Sequence, residues 1–204
     1  MLRNMLKLEK PYKLLKDEWQ HVSTVLKPYA LLYGGKKAWN KGDDATRKLK
    51  NRISTYTLLM QKGRCAYCED LISHGAQLDH IAPKAKYPQY CYEPKNLVTT
   101  CPSCNMYLKN DDDTIMGNCS SRYNHNIFSI VHPYINNPDI HIKFTNEDRV
   151  CIDEANCTAL GLNTIRKLHL NDYPSYCKRA ILFDNGRRYP VDYQRYAREC
   201  SSYK

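Results

Sequence analysis

No run of about 18 apolar residues occurs in this chain of 204 residues, so no membrane-spanning helix is expected. The opening stretch, Met1 to Lys10, carries charges inside its apolar residues and lacks a small-residue cleavage site, which argues against a secretory signal. Internal repeats, low-complexity linkers and helix-turn-helix patterns are also missing, so no sequence-reading module stands out. With 42% hydrophobic residues a packed core is expected and wholesale disorder is not. Ten cysteines would suggest a disulfide framework in a short secreted chain. The length and the missing signal favour metal binding in a reducing cytoplasm instead.

The net charge of +10 is unevenly placed. Residues 1–64 carry 15 Lys/Arg against 5 Asp/Glu, whereas residues 65–110 carry 4 of each and residues 111–204 carry 12 of each. All of the excess lies ahead of the first paired cysteines. A polyanion is thus attracted by the N-terminal flank.

Cys65-Ala-Tyr-Cys68 and Cys101-Pro-Ser-Cys104 are two Cys-x-x-Cys knuckles, which together supply the four thiolates of a closed zinc site. A minimal zinc ribbon separates its knuckles by about 15–20 residues. Here 32 residues, Glu69 to Thr100, intervene. The zinc therefore staples the base of a longer excursion that holds Asp79, His80 and Asn96, and Asn105 follows the last cysteine. The other six cysteines (Cys91, Cys119, Cys151, Cys157, Cys177, Cys200) lack paired spacing and read as ordinary thiols.

Cys65, Cys68, Asp79, His80, Asn96, Cys101, Cys104 and Asn105, in this order, resemble the zinc-braced HNH endonucleases with their ββα-metal motif. The resemblance implies that His80 activates water, that Asn96 braces the loop, and that Asp79 and Asn105 hold a divalent ion. Many members place a lysine four residues after the last cysteine; here that position is Leu108, and Lys109 comes one later. A narrower resemblance, to the PtuB-type nuclease subunits of Septu and retron-associated anti-phage systems, rests on softer patterns. These are Cys65 to Glu69, His80 to Pro88, Asn96 to Val98, His132-Pro-Tyr134 and Thr164 to Asn171. It implies an ATPase subunit as partner and nucleic acid, DNA before RNA, as substrate.

The residue types suit this chemistry. A neutral imidazole accepts a proton from water, and His80 at its ordinary pKa of about 6.5 is mostly neutral in a cell. Asp79 and Asn105 offer hard oxygens, which suit Mg²⁺ or Mn²⁺ better than Zn²⁺. Neighbours in a regular strand point to opposite faces, so Asp79 and His80 must sit at a strand end or a bulge, with Pro83 forcing the irregularity. Lys84 and Lys86 come directly after and are candidates for phosphate contacts. Tyr67 and Tyr87 are weaker candidates for stacking. The histidines His21, His74, His125, His132, His141 and His169 have no partner at ligand spacing and read as surface or packing residues.

The sequence predicts an α+β chain. A basic helical flank spans residues 1–62, an HNH core spans 63–115, and a hairpin-plus-helices extension, a candidate partner-binding unit, spans 116–204. Tyr12, Leu15, Trp19 and Val22 have helical spacing, and Pro28 and Gly34-Gly35 are expected to break any helix beyond them. Both tryptophans, Trp19 and Trp39, read as packing residues. Asp43-Asp44 should cap a helix that buries Leu49, Ile53, Tyr56 and Met60, with Arg47, Lys48 and Lys50 on its phosphate-facing side and Gly63 at its end. Strands are expected over 77–81 and 96–100, a helix over 102–110, and a solvated acidic loop at Asp111 to Asp113. Ile140, Ile142 and Phe144 alternate as a strand turning into 149–153. Asn163-Thr164 should cap a helix to Leu170, and Pro174 and Pro190 should start two later helices separated by Asn185-Gly186. Two competing readings stay open: a non-catalytic zinc module that binds nucleic acid or protein, and an RNA-cleaving nuclease.

Overall fold

In the computed structural model the fold is described for residues 7–188, with side chains through residue 184. It is α+β, with no helix among the described residues long and apolar enough to cross a membrane. The N-terminal flank is one helical run of α1 (Lys16–His21), a π-helical turn (Val22–Leu26) and α2 (Lys27–Tyr33). Pro28 does not break it. It sits in the first turn of α2, where the wider π turn has re-phased the hydrogen bonds and a missing N–H is tolerated. The run stops at Gly34, whose φ of +93° suits glycine alone. Gly35 opens α3 (Gly35–Trp39) so close to the next layer that a Cβ would lie 2.0 Å from the Lys84 carbonyl oxygen.

The helix α4 (Asp44–Met60) is capped as its sequence predicts, the Asp43 carboxylate accepting from Thr46 N at 3.0 Å. Such a cap contributes about 1 kcal/mol. Its buried face is Thr46, Leu49, Ile53 and Thr57, so the apolar stripe expected through Tyr56 and Met60 is displaced in its last turns. The reason is polar. Thr57 Oγ1 lies 2.6 Å from Thr99 Oγ1, and the buried carboxamide of Gln61 donates to Thr99 O at 2.6 Å and accepts from Thr99 N at 2.9 Å. Trp19 is 63% exposed, contrary to its expected packing role.

Two strands come next, β1 (Gln77–His80) and β2 (Leu97–Thr100), paired antiparallel from Gln77 opposite Thr100 to His80 opposite Leu97. This ribbon lies between two cores, because successive residues face opposite sides. Leu97 packs with Leu26, Ala30, Leu49 and Ile53 of the helical flank. Val98 packs with Tyr67, Ile130, Ile165 and Leu168 of the knuckle and the C-terminal part. The helix expected after the second knuckle forms over Ser103–Lys109 but is π-helical, with Asn110 N donating to Asn105 O at 2.8 Å.

A second pair, β3 (Ile115–Met116) and β4 (Ile127–Phe128), leads into the C-terminal part. Several expectations fail here. The alternating segment 140–145 is not a strand: Asn137 caps a one-turn helix α5 (Pro138–His141), and only the bridge between Phe144 and Ile152 remains of the hairpin. Thr158, not Asn163, caps α6 (Ala159–Lys167), and Thr164 lies inside it, its hydroxyl accepting from Val131 N. The last helix, α7 (Tyr173–Arg188), begins near Pro174 as predicted but runs through Asn185-Gly186. Pro190 and Cys200 lie outside the described residues.

The acidic triplet is an exposed loop, as expected, but its carboxylates are paired. Asp111 pairs with Lys36 of α3, Asp112 with Lys167 of α6, and Asp113 with Lys86. Three separate segments are thereby tied to the chain just after the π turn.

Candidate active site and its zinc brace

The knuckles bring Cys65, Cys68, Cys101 and Cys104 together with all four Sγ atoms within 4.8 Å of one another. Left-handed backbone at Gly63 and Glu69 allows the first knuckle to close, with Cys65 N donating to Asp70 O and Glu69 N to Cys65 O. Thiolates about 2.3 Å from one tetrahedral Zn²⁺ lie about 3.8 Å apart. Cys68 Sγ and Cys101 Sγ are 3.8 Å apart. The cluster therefore fits a structural zinc ion in both donor type and size.

Across from it, Asp79 and His80 leave β1 on opposite faces, as strand alternation requires. Asp79 points to Tyr67, whose hydroxyl donates to Oδ2 at 2.7 Å, and to Lys109, whose ammonium lies 3.2 Å from Oδ1. His80 points to Cys91 and to Trp39, whose ring meets the imidazole edge-on at 4.5 Å. No bulge reconciles the two directions; the pair sits at the strand end. There the chain turns at Ile81-Ala82, held by Asn96 rather than by Pro83. The Asn96 carboxamide accepts from Ala82 N at 2.7 Å and donates to Ala82 O and Tyr90 O, each at 3.0 Å.

A cleft of about 260 Å³ lies across this end, and its lining includes Asp79, His80, Lys84, Asn105, Asn110 and Asp111. Asn105 donates its amide to Gln77 Oε1 at 2.8 Å, and its Oδ1 accepts no hydrogen bond from the described residues. Asn105 Oδ1 is open to this space, whereas both Asp79 oxygens are already engaged, Oδ2 by the Tyr67 hydroxyl and Oδ1 by the Lys109 ammonium. A Mg²⁺ or Mn²⁺ ion held here would use the remaining lone pairs of the carboxylate and retain several waters.

The state of His80 is set by its neighbours. Nε2 lies 2.9 Å from Cys91 O, and a carbonyl only accepts, so Nε2 carries the hydrogen. Nδ1 is then the lone-pair nitrogen; it is buried and has no partner among the described residues. Burial, with the Lys84 charge, pushes the imidazole pKa well below its ordinary value, so the ring is neutral. Burial raises the pKa of Asp79, opposed by the Lys109 ammonium and the Tyr67 hydroxyl.

The remaining residues singled out in the sequence fall elsewhere. Arg47 and Lys48 are exposed on α4, Arg47 paired with Asp44, and Lys48 borders a different hollow beside Asp17 and Glu18. Lys50 donates to Trp39 O at 2.9 Å, one layer behind His80. Lys86 is bound to Asp113. Tyr67 is fully buried against Asp79, and Tyr87 donates to Asp113, so neither ring is free to stack on a ligand.

Two residues were missed. Lys109, one place beyond the expected lysine position, is fully buried, with Nζ 2.8 Å from His80 O. The i→i+5 bonding of the π turn lets a residue five after Cys104 take the inward place that an α-helix gives to one four after it. His132 is also fully buried, and its motif with Pro133 and Tyr134 was the only sequence signal for it.

Residues 65–111 match the HNH endonuclease family. Over 125 residues the chain is 28% identical to the Septu protein PtuB of Bacillus thuringiensis, covering 60% of this chain and 42% of that protein. Over 79 residues it is 32% identical to protein ea31 of Escherichia phage lambda, covering 38% of this chain and 23% of that protein. The chain thus spans under half the length of either relative. With the knuckles, Asp79-His80, Asn96 and Asn105 in place, residues 65–111 form an HNH endonuclease domain, set in a PtuB-like chain.

Proposed function

We propose that this protein is a metal-dependent nuclease that hydrolyses phosphodiester bonds, in DNA before RNA, as the cytoplasmic effector of a two-component anti-phage system with an ATPase subunit. The observation that carries the chemistry is His80: its Nε2–H is committed to Cys91 O, which leaves a buried, unpartnered Nδ1 lone pair on a residue that lines the cleft together with Asp79 and Asn105. The similarity to PtuB supports the defence setting. In this reading residues 63–115 carry the chemistry, 1–62 attract the polyanion and 116–204 face the partner.

His80 Nδ1 takes a proton from water as the oxygen attacks phosphorus, and the P–O bond to the leaving sugar oxygen breaks. Cys91 O holds the imidazole and disperses the charge it gains. Asp79 and Asn105 would hold a divalent ion, which supplies Lewis-acid stabilisation of the phosphoryl oxygens. Lys84, the basic side chain on the cleft wall, contacts a flanking phosphate.

The test is cleavage of duplex DNA, single-stranded DNA and RNA with Mg²⁺ or Mn²⁺, with and without the ATPase subunit. His80→Ala should lose cleavage while retaining zinc and nucleic-acid affinity. Robust metal-dependent cleavage by that variant refutes the assignment. A wild type inactive on every substrate with its partner present returns the protein to the zinc-binding-module reading.

A further inference from the structure

Behind Asn96 a run of buried hydrogen bonds enters the C-terminal part. Tyr134 N donates to His132 Nδ1 at 3.1 Å, so Nδ1 is an acceptor and Nε2 carries the hydrogen. Nε2 lies 2.8 Å from the Tyr123 hydroxyl, which therefore accepts there and turns its own hydrogen to Asn96 Oδ1 at 2.9 Å. Asn96 Oδ1 also accepts from Ala82 N, which fixes the carboxamide so that its NH₂ faces Ala82 O and Tyr90 O. Tyr90 precedes Cys91, whose carbonyl receives His80 Nε2–H. Both side chains are deeply buried, His132 fully and Tyr123 at 6% exposure, among the rings of Tyr90, Phe128 and Tyr134.

Each proton in this run has one direction only. A hydroxyl rotates freely and a carboxamide can flip, yet here neither can change without leaving a buried group unpaired. From this we infer that Tyr123 and His132 are positioning residues for the base. They set the orientation of Asn96, which holds the 82 and 90–91 backbone, which holds His80 in the Nε2–H tautomer with Nδ1 free. The inference rests on the nuclease reading for its consequence in catalysis, but not for its geometry. It also gives residues 116–204 a direct part in the site.

The experiment uses the zinc-loaded full chain and three variants: Tyr123→Phe, which keeps the ring and removes the donor; His132→Leu, which removes the ring nitrogens; and His132→Gln, whose amide restores a donor near the Nε2 place. Tyr123→Phe and His132→Leu should each lower kcat by about 10-fold, the low end of the range for outer-shell groups, because they act on His80 through Asn96 and the backbone it holds. The KM for the nucleic acid and the zinc content should stay unchanged, and His132→Gln should recover most of the rate.

A second readout is independent of cleavage. In ¹⁵N–¹H correlation spectra of the imidazoles, His80 should be a single Nε2–H tautomer in the wild type and a mixture in Tyr123→Phe. An inactive wild type with that tautomer shift would refute the nuclease reading and leave the positioning role standing. Folded Tyr123→Phe and His132→Leu proteins with one His80 tautomer and unchanged kcat would overturn the inference. So would failure of both variants to fold, which would make the pair scaffold only.

Discussion

Lys109 Nζ sits 3.2 Å from Asp79 Oδ1 and 2.8 Å from His80 O, and so holds the side chain of one site residue and the backbone of the next. Both Lys109 and Asp79 are buried, at 0% and 5% exposure. A buried pair adds little over an apolar pair of the same shape, but removing one partner strands the other charge.

Lys109→Met should therefore destabilise the protein by about 3–5 kcal/mol, read from urea unfolding of the zinc-loaded chain. Lys109→Met with Asp79→Asn should recover part of that loss, because the stranded charge is gone. An additive double variant would show that the two residues do not act as a pair.

The knuckle geometry predicts one tightly held zinc per chain. Structural zinc in small modules contributes about 10 kcal/mol or more to folding. Cys101→Ser should lower zinc content and thermal stability together, as elemental analysis and calorimetry would report. A variant with full zinc would move the ligand set elsewhere.

His132 gives a pH signature of stability. Burial, reinforced by the nearby Lys95 charge, lowers its pKa to about 3, while an unfolded histidine titrates near 6.5. The groups facing it are the Tyr123 hydroxyl, the Tyr134 amide and ring, and the ring of Phe128. The unfolded chain therefore binds a proton that the folded chain refuses. Its contribution is complete above about pH 6.5 and is lost as the pH falls toward 3. Between pH 7 and pH 5 this amounts to about 2 kcal/mol. His132→Gln should flatten the stability profile in that window by the same amount; an unaltered slope would assign the acid sensitivity to other groups.

The basic residues divide by position. Lys84 lines the cleft, whereas Arg47 on α4 already pairs with Asp44. Lys84→Gln should reduce the log–log salt slope for duplex DNA binding by about 0.9, the loss of one phosphate contact. Arg47→Gln should change it less. Equal slopes for both would place the binding surface on the α4 side instead.

Much of this site is legible in the sequence because its determinants are local. Two knuckles, an Asp-His pair ahead of a turn and an asparagine heading a strand declare themselves by spacing. The features that escape depend on phase or on distant partners. Lys109 looks displaced by one position until the π-helical turn is known, and no residue in 103–109 announces that turn. The pairing of the exposed Asp111 to Asp113 stays hidden because their lysines come from α3, the segment after β1, and α6. Ile140 to Phe144 alternate like a strand, yet Pro138 behind an Asn137 cap makes a helical turn there first. His132 looks ordinary because its role lies in Tyr123 and Asn96, remote in sequence.

The carboxamide of Gln61 has a consequence for association. A two-stranded ribbon has two raw edges, and on β2 the outward groups belong to Leu97 and Thr99. Gln61 takes both the N–H and the C=O of Thr99, as a peptide unit of a third strand would. Leu97 O receives the Tyr134 hydroxyl, and Leu97 N bonds to Pro94 O. Ala66 N of the first knuckle also donates to Thr99 O at 3.0 Å, so the edge is closed by side chains, a turn and one knuckle amide rather than by another strand. Neither a second copy of the chain nor an extended peptide can zip onto it, and the ribbon is sealed against both aggregation and β-augmentation on that side.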